Sequence, residues 1–290
     1  MDPHLLRSFV AVARLGSFSA AARSLGYTQS AVSQHIATLE GDLRAELLTR
    51  RPVAPTPVGA RLLEHAGPLL LRLDAARADV ARFVTAPAAH VTLAAAPLAV
   101  GPRLLAALPA TGVTLRVVAR AEVSAAVAAG DCDLGLVDGL AAPSDPLRLP
   151  DVAPLTVAGV DEEELAVLFP VGHPLARRAA VRLGDLVDAR WLDAPDAGIP
   201  VAAVRAALGV PGPAPAPALR YDGTDTRALC TLAAAGHGLV LLPLRVARTA
   251  GAGVAVPLSE PRLVHRTELL TPGTPAGAAA GLVRRLTARE

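Results

Sequence analysis

At 290 residues the chain is long enough for two or three domains with substantial cores. Its 28 basic residues, all arginine, against 26 acidic ones leave a net charge of +2, which excludes a polycation, and no apolar stretch reaches the roughly 20 residues of a membrane span. Cut at residue 85, the first part holds 10 arginines against 7 acidic residues and the remainder 18 against 19, so the basic excess lies N-terminal.

A first helix is predicted from Pro3, a residue tolerated in a first turn, with Leu5, Leu6, Phe9, Val12 and Ala13 as its apolar face. Phe18 to Leu25 reads as a second, alanine-rich helix that Gly26-Tyr27 ends. Thr28 suits an N-cap, because its hydroxyl accepts from the free N–H groups of the next turn. From there Val32, Ile36, Leu39 and Leu43 recur at helical spacing and define a buried stripe. Ser30, Gln34 and Thr38 point roughly opposite, with Gln29, Ser33 and His35 on the flanks and first turn. A face kept only for solubility favours Glu, Lys and Arg, whereas this one is polar and uncharged. Gln pairs with the N6 and N7 edge of adenine and Ser serves several bases, and the second helix of a helix-turn-helix fits the major groove.

Next comes a short arginine- and proline-marked hairpin from Leu47 to Thr56. Arg50 and Arg51 suit phosphates or a narrow minor groove, and Arg50 equally suits a structural pairing with Glu40. Residues 58 to 84 form a long helical pattern in which Leu62, Ala66, Leu69, Leu73, Ala76, Val80 and Phe83 make a heptad seam. Such a seam either docks on its own domain or pairs two chains; pairing would set two recognition helices about 34 Å apart, as paired half-sites require. Gly67-Pro68 predicts a kink in it.

Thr85 to Ala89 is a hinge by composition, and beyond it short apolar runs alternate with alanine-rich helices, which predicts a parallel α/β sheet. Strands are expected at Val91 to Ala95, Val113 to Ala119, Asp133 to Val137, Glu164 to Phe169, Leu219 to Tyr221, Leu239 to Pro243 and Val264 to Leu270. Helices are expected at Pro102 to Leu108, Ser124 to Ala129, Val201 to Leu208, Thr226 to Ala235 and Ala276 to Leu286, with a proline-rich surface loop from Pro211 to Pro217. Ligands of open α/β sheets lie beyond the carboxyl ends of strands. Here that rule selects Ala96, Pro97 and Leu98, then Arg120 and Glu122, then Asp138, then Asp196 to Gly198 and Gly223 to Thr226. Arg120 is either a carboxylate binder or an exposed arginine. Thr224 reads as the N-cap of the following helix, with ligand donation as its second reading.

The N-terminal half resembles the winged helix-turn-helix of LysR-type transcriptional regulators. That resemblance is carried by Leu6, Phe9, Val12, Gly16-Ser17-Phe18, Ala21-Ala22, Leu25, Thr28 to Gln34, Ile36, Leu39-Glu40, Leu47-Leu48-x-Arg50, Pro55-Thr56 and Gly59. Asp133-Leu134-Gly135-Leu136, His173-Pro174-Leu175-Ala176 and Ala233 to Leu239 ending at Pro243 are similar to the family's effector domain, which has a periplasmic-binding-protein fold. The chain departs from the family at Arg44-Ala45, where Gly-Val is usual, at Leu48 for Phe, in a shorter wing, and at Ala94 to Pro97, where hydroxyl residues usually hold the effector.

The resemblance implies an overall α/β chain in three parts. They are a winged helix-turn-helix at 1–58, a dimerisation helix at 59–85 and a two-subdomain effector-binding domain at 86–290, with subdomain I at about 90–160 and 267–290 and subdomain II at about 161–266. It further implies promoter DNA as partner, a homodimer pairing into a tetramer and a small-molecule effector, and leaves room for RNA polymerase as a further partner. Enzyme signatures are missing: there is no GxxxxGK[ST], G-x-S-x-G, HExxH or Cys/His cluster, so no catalytic residue, metal or cofactor is expected. MDPHLLRSF has no basic region followed by an apolar run, and Cys132 and Cys230 form no CxxC pair; a cytoplasmic protein with buried free thiols is expected. The rival reading is a cytoplasmic solute-binding or enzymatic α/β protein whose N-terminal helices only mediate assembly.

Overall fold

The computed structural model describes residues 1–84, 90–149, 155–209, 218–251 and 253–288, without the side chains of Asp79, Arg82, Phe83 and Val84. The expected hinge at 85–89 and the proline-rich loop at 211–217 lie outside the described residues. Two compact units are present, Met1–Ala81 and Arg82–Glu290.

In the first unit each helix starts on a side-chain cap. Asp2 accepts from His4 N at 2.7 Å at the head of α1 (Pro3–Leu15). Ser17 accepts from Ala20 N at 3.2 Å for α2 (Phe18–Leu25), and Thr28 from Ala31 N at 3.2 Å for α3 (Gln29–Leu43). α1 and α2 end on glycines with φ of 59° and 70°, the left-handed conformation that glycine takes without a Cβ penalty. α3 ends on Arg44 in the same conformation, φ 52°. The strands β1 (Leu48–Arg50) and β2 (Val53–Pro55) pair antiparallel, with Leu48 opposite Pro55. Thr56 then caps α4 (Pro57–Val84), accepting from Gly59 N at 3.0 Å. The helix runs unbroken through Pro68. Phe9, Val12, Val32, Ile36, Leu39 and Leu47 form a core of zero exposure between α1, α2, α3 and the hairpin, with Ala66 and Leu70 brought in by α4.

The second unit opens with β3 (Val91–Ala95), α5 (Pro102–Ala107), β4 (Val113–Val117), α6 (Arg120–Ala129) and β5 (Leu134–Ala141). There follow β6 (Thr156–Phe169), β7 (Val181–Arg182), β8 (Leu192–Asp193), α7 (Val201–Leu208), β9 (Leu219–Arg220), α8 (Thr226–Ala234) and β10 (Val240–Pro243). α9 (Leu244–Thr249), β11 (Val254–Glu260), β12 (Val264–Thr271) and α10 (Gly277–Thr287) complete it.

The large sheet has the order β4-β3-β5-β12-β6-β11-β7, with β10 also on β6. It is mixed, not parallel as expected. β3 runs parallel to β4 and β5, but β12 is antiparallel to both β5 and β6, and β6 is antiparallel to β10 and β11. The reason is topological: β6 carries the chain from one half of the unit to the other and β12 brings it back, so the two run oppositely. Two cores result, one around Leu93, Leu134, Leu136, Leu269 and Leu282, the other around Leu165, Phe169, Leu183, Leu229 and Leu241.

Candidate nucleic-acid interface and effector cleft

Burial of Val32, Ile36 and Leu39 turns the other side of α3 outward. Thr28, Gln29, Ser30, Gln34 and Thr38 are exposed, and Ser33 and His35 are half-buried. Gln29 accepts from Ser19 Oγ at 3.0 Å, and the hydroxyls of Thr28 and Ser30 lie 3.0 Å apart, which orients the first turn from α2 and from the cap itself. His35 is held internally: its Nδ1 lies 2.8 Å from the hydroxyl of Ser8, which is fully buried, and its ring stands edge-on to Tyr27 at 5.2 Å. Ser8 is the partner that the sequence reading missed, since nothing local links positions 27 residues apart.

Of the two readings of Arg50, the structure bears out the pairing with Glu40. Its guanidinium lies 3.4 Å from Glu40 and stacks over Phe18 at 5.1 Å, yet its side chain remains 55% exposed. Glu40 in turn accepts from Leu47 N at 2.8 Å and Leu48 N at 3.3 Å, so one carboxylate orients both the hairpin backbone and its arginine. Arg51 is exposed at the turn.

The seam expected along α4 is not uniform. Leu62 and Ala66 face the unit's own core, whereas Leu69 and Val80 are 48% and 65% exposed, with Ala76 exposed and Leu73 half-buried. The helix packs its early turns on the core and leaves the later seam positions to solvent. The Phe83 side chain lies outside the described residues.

In the second unit the effector positions divide. Ala96 and Leu98 are buried, Ala96 N donates to Leu136 O at 2.9 Å, and Pro97 opens a 3-10 turn. Glu122 is exposed on α6. Thr224 is exposed and does not cap α8; Asp225 does, accepting from Arg227 N and Ala228 N at 2.9 and 3.2 Å, because its carboxylate is the stronger acceptor.

Arg120, Asp138 and Asp196 come together. α6 begins at Arg120, four residues before the expected start, and Arg120 N donates to Asp196 Oδ1 at 3.0 Å. The Arg120 side chain is 18% exposed, which overturns its reading as an exposed arginine. It donates to Asp138 through Nε at 3.2 Å and Nη2 at 2.8 Å, to Gly198 O at 3.0 Å and to Pro195 O. Across the β5–β12 ladder Thr267 faces Asp138, and His265, two residues along, brings Nε2 to 2.9 Å from Asp138 Oδ2. Burial raises the Asp138 pKa, but the His265 hydrogen bond and the Arg120 charge outweigh it and hold the carboxyl at about 2, against 3.8. His265 was not singled out from sequence, where it is a lone histidine followed by Arg266, Thr267 and Glu268.

Residues 3–60 match the model of the bacterial regulatory helix-turn-helix proteins of the lysR family, and residues 85–288 match the LysR substrate binding domain. The chain belongs to the LysR family.

This LysR-family chain is 35% identical over 192 residues to a probable hydrogen peroxide-inducible genes activator of Mycobacterium avium, a match covering 63% of the chain and 59% of the relative. With CysL, an HTH-type transcriptional regulator of Bacillus subtilis, it shares 28% over 198 residues, 65% and 63% of the two. It thus spans less than two thirds of the length of these curated relatives. An uncharacterised HTH-type transcriptional regulator of Mycobacterium tuberculosis aligns over nearly everything, 30% identical with 97% and 95% covered. Among solved structures, HinK of Pseudomonas aeruginosa superposes with a TM-score of 0.53 at 19% identity, covering 98% and 97%. CbnR complexed with its target DNA gives 0.51 at 21%, covering 99% and 98%. At such identities these likenesses speak for the fold. The relatives are named as regulators, not as enzymes.

Proposed function

We propose that this chain is a sequence-specific DNA-binding transcriptional regulator that acts in the cytoplasm as a homo-oligomer and answers to a small molecule. The exposed, uncharged row Thr28, Gln29, Ser30, Gln34 and Thr38 carries the reading, because it lies on the second helix of a helix-turn-helix whose fold recurs in CbnR with its target DNA. Residues 1–58 bind promoter DNA, with Ser33 beside the row and Arg50 and Arg51 at the phosphates; His35 serves to fix α3 against α1. The later seam positions of the linker helix, from Leu69 onward, pair two chains, and residues 86–290 take the effector. A ligand favouring one arrangement of the regulatory half shifts the oligomer between DNA-binding geometries.

Thiol-based peroxide sensing is not part of this reading. Cys132 and Cys230 are buried in separate cores, and burial raises both thiols, Cys230 to about 11, far from the reactive thiolate range.

The test is a salt-dependent gel shift on DNA upstream of the gene with scrambled competitor. Specific retention that weakens with salt is expected, and Gln29→Ala or Ser33→Ala should each cost about 1 to 3 kcal/mol of specific binding while dimerisation stays unchanged. Unaltered operator affinity in both variants would sink the assignment of the reading face.

A further inference from the structure

Arg120 has almost nothing left to offer a ligand. Four of its five N–H groups meet both oxygens of Asp138 and the carbonyls of Gly198 and Pro195. An incoming carboxylate would displace a buried ion pair and leave Asp138 without its arginine, which is strongly unfavourable.

Beside this network lies a cavity of 610 Å³, within the range of about 300–1,000 Å³ typical of small-molecule sites. Its walls come from β5 and the chain after it, α6 and α7, and include Val137, Leu140, Leu147, Leu149, Ala203 and Ala207. Ser124, only 4% exposed, contributes a hydroxyl that has no hydrogen-bond partner among the described residues. The charged groups of the lining are three aspartates, Asp138, Asp145 and Asp196, against two arginines, Arg120 and Arg148, so an anion meets no net attraction. Of the positions that the strand-end rule selects, Arg120, Asp138 and Asp196 line it, whereas Ala96, Pro97, Leu98, Glu122 and Thr224 do not.

We propose that the regulatory half takes an uncharged, mainly apolar molecule with one hydrogen-bonding group for Ser124 in this cavity, instead of a carboxylate on Arg120. As an effector assignment it rests on the regulator reading above; as a binding site it stands alone.

The probe is N-phenyl-1-naphthylamine, a neutral dye that brightens in apolar surroundings, titrated into the full chain and then competed with benzyl alcohol, benzoate or benzylamine. Saturable binding of one dye per chain is expected, weakened about tenfold or more by Ala203→Phe, which fills the cavity from α7. Benzyl alcohol should displace the dye at concentrations about tenfold below either charged analogue. Should Ala203→Phe fail to fold, Ala207→Leu intrudes less on the same wall and should weaken the dye about threefold with an unchanged melting curve.

Absence of saturable binding, equal dye affinity in the wild type and a folded cavity variant, or displacement by benzoate or benzylamine as readily as by benzyl alcohol overturns the proposal. Gel shifts on the same preparations keep the two readings apart, because failure to retain upstream DNA alongside intact dye binding counts against the regulator reading alone.

Discussion

Replacing Gly59 by alanine tests how the hairpin is anchored. A Cβ built at Gly59 falls 2.0 Å from Leu47 O and 2.9 Å from Leu47 C, backbone atoms that no rotamer change can move. That carbonyl also accepts from Thr56 N at 2.9 Å, so the added methyl would wedge into the bond that joins the hairpin's first strand to the head of α4. Helix propensity favours alanine by about 1 kcal/mol. Against it stand overpacking, about 1–3 kcal/mol or more, and a strained buried hydrogen bond, about 0.5–1.5 kcal/mol. The net expectation is a loss of about 2 kcal/mol. Gly41, inside α3 with open space around its Cβ position, is the internal control, and Gly41→Ala should gain up to about 1 kcal/mol. Urea unfolding of both variants, followed by circular dichroism, measures the difference. If Gly59→Ala proves as stable as Gly41→Ala, the close seating of α4 on Leu47 is refuted.

Two further outcomes follow from the backbone and the buried ion pair. Arg44 holds φ 52° and ψ 39° at the end of α3, a left-handed conformation costing a non-glycine residue about 1–2 kcal/mol. Glycine gives back part of that through unfolded-chain entropy, so Arg44→Gly should raise stability by about 0.5–1 kcal/mol in urea titrations, and no gain would count against the strain. Asp138 has its folded pKa depressed to about 2, so its contribution is fully present above the unfolded value of 3.8 and is lost as pH falls through 2. That contribution is about 2 kcal/mol, of which about 1 should be gone at pH 3. The stability gap between wild type and Asp138→Asn should therefore stay level from pH 7 to 5 and narrow by pH 3; a gap indifferent to pH would dismiss the ionised network.

Local determinants made the first unit readable. Thr28 caps α3 through an atom three residues away, and Val32, Ile36 and Leu39 carry the helical period themselves. In the second unit α7 and β3 were legible because mostly apolar runs, broken only by Arg205 and Thr92, have the right length. The start of α6 was not, since its first N–H is satisfied by Asp196, 76 residues on. β6 begins at Thr156, well before the expected Glu164, through a segment whose Asp161, Glu162 and Glu163 break the apolar pattern of a strand. Arg266 and Arg245, remote in sequence, pair with Glu162 and Glu163 and make that strand tolerable. β11 escaped because Pro257 argues against a strand, and α9 because its six residues are too few for a period.

The effector cleft illustrates a harder limit on reading sites from sequence. A rule about strand ends placed Arg120, Asp138 and Asp196 among the ligand positions, and the structure brings the three together, but neighbourhood does not decide whether polar groups are free. Arg120 reaches Asp138 across 18 residues, Pro195 across 75 and Gly198 across 78, and Asp138 meets His265 across 127. Each link consumes a donor or an acceptor that a ligand would otherwise use, and consumption is a property of the folded arrangement. Buried against one another, Arg120 and the two aspartates spend most of their hydrogen-bonding groups on each other and on backbone carbonyls, and with two carboxylates to one guanidinium they offer an anion no net attraction. The binding proposed above then falls to the space left unfilled beside them, between the walls of β5, α6 and α7, whose alanines and leucines carry no sequence mark of a site. The alanines of α7 are therefore what leaves room in the structure: larger residues at Ala203 and Ala207 would close the cavity.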